Sequence, residues 1–136
     1  MVSIEEAQDI LEAVAEGLPP EFYKELNGGI ILLPDVKRSR EPWGENLYTL
    51  GEYTYSHSMG RYIAIYYGSF EYLFGNDCSE KRIAEELRKT LLHEFTHHLE
   101  SLAGERELEK EDERRMRMYR ERAQARRLKI VRERRE

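Results

Sequence analysis

An α+β fold is predicted from three features of the 136-residue chain. Apolar residues recur at helical spacing near the N-terminus, three short segments between residues 30 and 70 are rich in Ile, Leu, Tyr and Thr, and residues 79–103 contain neither Gly nor Pro. The arrangement expected is a small mixed or antiparallel sheet packed beside a helix, with an amphipathic N-terminal helix and a long charged C-terminal helix.

Taken in order, Ile4, Ala7, Ile10, Leu11 and Val14 share one face of a helix over residues 3–16, which Ser3 can cap together with Glu6 three residues on. Gly17, Pro19 and Pro20 end it. Residues 21–26 suit a short helical turn, broken by Asn27, Gly28 and Gly29. Ile30–Leu33 is a continuous apolar run closed by Pro34, as expected of a strand buried on both faces. Residues 37–46, with Pro42 and Gly44, read as a loop. Leu47–Tyr55 and Tyr62–Phe70 are expected to pair as an antiparallel hairpin about the turn-like residues 56–60. Asn76, Asp77, Cys78 and Ser79 supply N-cap candidates, Glu80 following Asp77 by three, for a helix of about six turns ending at Ala103. Gly104 reads as its left-handed C-terminal stop.

The length suits one domain, expected over residues 1–112, with residues 113–136 as a helical extension. Charged residues form 36% of the chain. No apolar run approaches the roughly 20 residues needed to span a bilayer, and the N-terminus lacks a basic segment followed by an apolar one, so a cytoplasmic location is expected. The lone cysteine, Cys78, excludes an intramolecular disulfide and a cysteine-rich metal site. Charge is unevenly placed. Residues 1–112 carry 11 basic and 23 acidic side chains, net −12, whereas residues 113–136 carry 11 and 4, net +7. The basic run, residues 114–135, can bind nucleic acid or an anionic surface, fold against the acidic body, or remain a solvated helix face; the last two are the more common outcomes.

The chemistry concentrates in the long helix. At 100° per residue, Ala84, Leu87, Leu91, Phe95, His98 and Leu102 fall on one side, while His93, His97 and Glu100 fall on the other. Two imidazoles at i and i+4 stand one above the other and can reach a single tetrahedral zinc, with Glu94 beside them. A water held on zinc has its pKa lowered towards about 7, so the neighbouring carboxylate can take its proton as general base and return it to a leaving amine. The spacing arises by chance in roughly one chain in a few hundred of this length. Its place on an uninterrupted helix, opposite an apolar stripe and after a hairpin, is the context that the motif requires.

Leu92-His93-Glu94-Phe95-Thr96-His97-His98, together with Leu18-Pro19-Pro20-Glu21-Phe22, Leu50-Gly51-Glu52-Tyr53 and the strand from Tyr62 to Gly68, resembles the minimal zincin-like metallopeptidase family of bacteria. The resemblance covers most of residues 3–112. It implies a zincin-like α+β fold, a zinc cofactor, a shallow groove and a peptide or protein substrate. The chain departs from the family's short pattern, in which a Gly three residues after the second His precedes a carboxylate ligand: those positions hold Glu100 and Ala103, and the Gly comes at Gly104. Glu105, Glu107, Glu109 and Asp112 are the candidates for third ligand. Glu100 is disfavoured, because i, i+4 and i+7 of one helix span about 10 Å of rise. Glu109 followed by Asp112 resembles the arrangement in gluzincins, where a later helix supplies a Glu ligand and a nearby Asp orients a zinc-bound His; that resemblance favours Glu109, with Asp112 as second choice or as the outer partner.

His98 points to the packed side and reads as a core histidine. His57 reads as a turn residue, with a role as extra ligand left open, and Tyr62, Tyr66 and Tyr67 read as strand residues rather than oxyanion donors. The strand from Tyr62 to Phe70 is expected as a sheet edge that could add an extended peptide. Three functions are weighed: zinc-dependent peptide hydrolysis, which is preferred; a low-turnover zinc-binding recognition module; and a nucleic-acid interaction protein acting through the basic helix.

Overall fold

A computed structural model describes residues 2–40, 46–75 and 78–135. Helix α1 spans Ile4–Glu16, and Ser3 caps it by accepting the Glu6 N–H at 3.1 Å. A 3-10 turn, Pro20–Tyr23, follows. Five strands come next: β1 (Gly29–Leu33), β2 (Lys37–Arg40), β3 (Asn46–Thr49), β4 (Gly51–Ser56) and β5 (Gly60–Tyr66). Helices α2 (Tyr67–Phe74) and α3 (Glu80–Arg135) complete the chain. The α+β class and the mixed sheet expected from the sequence are present.

The main sheet has the order β1-β5-β4, with β1 parallel to β5 and β4 antiparallel to it. The β4–β5 hairpin turns where expected, at residues 57–59. Several boundaries differ from the sequence reading. The loop expected over residues 37–46 includes β2 and the start of β3, which form a separate antiparallel pair; residues 41–45 lie outside the described ones. The strand expected over 47–55 is divided at Leu50 between the two sheets. The strand expected over 62–70 ends at Tyr66, and Tyr67–Phe70 begin α2. Tyr67, Gly68, Ser69 and Phe70 are all buried, so burial along them has no period to separate strand from helix.

That short helix is possible because of Gly68. A Cβ there would meet the Pro34 carbonyl oxygen at 2.4 Å and the Asp35 backbone at 2.6 Å, so α2 packs directly on the chain leaving β1. β5 is the central strand rather than the expected edge; β1 and β4 are the edges. β1 is half-buried throughout, with Ile30 and Leu32 packed against the core, and it is paired on one side only.

The core joins Ala7 and Leu11 of α1, Ile63 and Ile65 of β5, Phe70 of α2 and the stripe Ile83, Leu87, Leu91 and Phe95 of α3. Ile83 takes the deep position expected of Ala84, which is half-buried. Ser79 caps α3 by accepting the Arg82 N–H at 3.2 Å; the cap candidates Asn76 and Asp77 lie outside the described residues.

The largest correction concerns Gly104. It lies inside α3, which runs on to Arg135. Gly costs a helix interior about 1 kcal/mol relative to Ala, but strong helix formers flank it on both sides. Further along, Glu107 pairs with Lys110, and Glu111 with Arg114 and Arg115, at helical spacings. By compactness the chain forms two units, residues 1–99 and 100–136, dividing within α3. Among the described residues no helix is long and apolar enough to cross a membrane.

Candidate metal centre

Helix periodicity brings His93 and His97 one turn apart on the outer side of α3, opposite the buried Leu87, Leu91 and Phe95. Both imidazoles are exposed, and their Nε2 atoms stand 3.2 Å apart with the rings nearly perpendicular, at 87°. Glu94 lies between them and is only 6% exposed. Ligand atoms of the three residues all lie within 4.8 Å of one another, a grouping able to hold a metal ion. It is the one such grouping among the described residues.

Burial of Glu94 pushes its carboxyl above the usual carboxylate range, and the charge of Glu52 adds to this. His93, His97 and the backbone N–H of Tyr53 oppose the shift by favouring the ionised form. A carboxylate that binds a proton more tightly than usual, yet faces two imidazoles, is suited to receiving and returning a proton.

The Tyr53 contact follows from the register of β4. The Leu50 carbonyl accepts from the Tyr66 N–H at 2.8 Å, so residues 52, 54 and 56 are hydrogen-bonded to β5, while 51, 53 and 55 turn their backbone groups outward. The outward N–H of Tyr53 is thereby free to serve Glu94. Gly51 permits the close approach: a Cβ would stand 2.7 Å from Thr90 Cγ2 of α3.

The Tyr53 side chain makes a second connection to α3. Its hydroxyl is 2.8 Å from His98 Nδ1, and His98 Nε2 is 2.8 Å from the Lys24 carbonyl oxygen. A carbonyl can only accept, so Nε2 carries a proton and, in the neutral ring, Nδ1 accepts from Tyr53. His98 is completely buried, and the core reading of this residue holds. On the other face of β4, Glu52 binds Lys37 at 2.7 Å and accepts from the Tyr66 hydroxyl at 2.8 Å. The Lys37 ammonium holds the Glu52 carboxyl below its ordinary value.

Of the residues singled out in the sequence, His93, Glu94 and His97 are brought together. Glu109 and Asp112 are not part of the grouping; both are exposed on the stretch of α3 that belongs to the second unit. Gly104, which the sequence reading took as a helix stop before them, is itself helical. His57 is exposed in the hairpin turn against Tyr55. The Tyr66 hydroxyl is engaged by Glu52, and the buried Tyr67 donates to the Val2 carbonyl. The sequence reading missed the contribution of Tyr53. Its one trace was the Gly51-Glu52-Tyr53 string, whose Gly marks the close approach to α3.

The fold and site together define an α+β protein with a His-Glu-His cluster carried on one helix beside a sheet edge. The chain belongs to the same family as a conserved hypothetical protein (TTHA0227) from Thermus thermophilus, to whose solved structure it is similar with a TM-score of 0.60. The two are 36% identical, over 76% of this chain and 99% of that one. No family model and no curated protein matches the chain.

Proposed function

We propose that the protein is a zinc-dependent metallopeptidase of the zincin kind, acting on peptide or protein substrates. The reading is carried by one observation. Two nitrogens each about 2.0–2.1 Å from one tetrahedral zinc stand about 3.3 Å apart, and His93 Nε2 and His97 Nε2 are 3.2 Å apart. His93 and His97 would hold the ion. Zinc bound there would supply a Lewis acid able to polarise a carbonyl and acidify water.

Glu94 is the general base: it takes a proton from the attacking water and delivers it to the leaving amine. Its burial raises its affinity for that proton, while the Tyr53 N–H and the two imidazoles keep the charged form accessible. Tyr53 and His98 hold β4 against α3, so that the N–H stays aimed at the carboxylate. The grouping on the helix contains His93, Glu94 and His97, so only the two histidines are assigned as protein ligands.

Elemental analysis of the purified protein, with His97→Ala alongside, tests the metal site. About one zinc per chain, lost in the variant, supports the reading. A peptide-library assay then tests turnover, with hydrolysis expected from the wild type and lost in Glu94→Gln while zinc is retained. Absence of zinc after reconstitution at neutral pH would overturn the proposal.

A further inference from the structure

The second unit carries its charge in two blocks. Residues 100–113 hold seven acidic and two basic side chains, and residues 114–135 hold eleven basic and two acidic ones. Ion pairs along the helix join Glu107 to Lys110 and Glu111 to Arg114 and Arg115. Two acidic residues cannot balance eleven basic ones within the second block, and like charges four apart, such as Arg122 and Arg126, repel. The blocks complement each other, but a continuous helix keeps them end to end. A second helix lying antiparallel brings each block against the other.

The same helix exposes apolar surface at Met116 and Tyr119, which are 52% and 70% accessible. Glu109, Asp112, Met116, Tyr119, Ala123 and Arg126 recur at spacings of three and four, and so lie along one face. We propose that this face docks against the same face of a second copy of the chain, as an antiparallel helix pair. Placing Met116 level with Tyr119 of the second copy sets Glu109 level with its Arg126 and Asp112 with its Ala123. At the flanks the same register sets Glu113 level with Arg122 and Arg114 level with Glu121. Each helix thus offers its acidic block to the basic block of the other. A phosphate backbone suits the helix less well, because the acidic block directly before the basic run repels it.

Sedimentation velocity on the full chain tests this, comparing wild type, Glu109→Arg, Arg126→Glu and the double variant. Circular dichroism confirms that these exposed substitutions leave the helix intact. The wild type is expected to dimerise at ~50 mM salt and to dissociate at ~1 M, where the screening length falls to about 3 Å. Each single reversal sets like charges opposite one another and is expected to weaken the dimer tenfold or more, and the double variant to recover most of that loss. A monomeric wild type at every salt and concentration overturns the proposal, as does a double variant no better than the singles. A monomer that binds short duplex DNA with salt-dependent affinity would overturn it too, and assign the helix to nucleic acid.

Discussion

Glu94 occupies a place that is costly for its charged form. Because burial holds its carboxyl above the usual range, the metal-free native state keeps a proton that the unfolded chain has released. Stability of the metal-free protein therefore falls as pH rises from about 4.3 through the folded value. Glu94→Gln keeps the shape without the charge. In chelator at pH 7 the variant is expected to melt above the wild type, and a lower melting point would contradict this account of the site. On the zinc-loaded protein the same change should lower kcat by about 10²–10⁴-fold, the usual contribution of a general base. Tyr67 acts in the same sense at alkaline pH. Burial pushes its hydroxyl up to about 12. Above pH 10 the unfolded chain loses a proton that the native state retains, so stability declines as pH climbs from about 10 to 12. In Tyr67→Phe that decline should flatten, as followed by denaturant titration at several alkaline pH values.

Among the elements, α3 and β4 decide the geometry of the site. Tyr53→Phe removes the hydroxyl that His98 Nδ1 meets and leaves a buried ring nitrogen without its partner. A loss of about 1–3 kcal/mol in unfolding free energy is expected, and an unchanged value would mean that the contact does not hold β4 to the helix. Gly104 tests the continuity of α3. As an interior helical residue it should be improved by Gly104→Ala by about 1 kcal/mol, with helicity retained in circular dichroism. As a left-handed stop it would instead be damaged by the same change. The helical content of the site was legible in the sequence, because i and i+4 spacing on an uninterrupted helix is a local property. The true end of α3 was not. A single Gly is compatible both with a stop and with a helix whose neighbours outweigh its cost.

For the molecule as a whole, metal binding and folding should be linked. A ligand held by the native state alone stabilises it by RT ln(1 + [L]/Kd), about 4 kcal/mol at a thousandfold excess over Kd. Zinc is therefore expected to raise the melting temperature of the wild type and to leave that of His97→Ala nearly unchanged in differential scanning calorimetry. An equal rise in both would place the bound ion elsewhere. By itself the sequence determined the α+β class, the capped α1, the β4–β5 hairpin and the joint placement of His93, Glu94 and His97. Each follows from periodicity or spacing within one element or between neighbours in the chain. Only the tertiary structure decided that β5 is the centre of the sheet, that Tyr67–Phe70 turn into helix over Pro34, and that Tyr53 reaches across to both Glu94 and His98. Those outcomes depend on which surfaces meet across dozens of residues, where burial and backbone hydrogen bonding outweigh local preference.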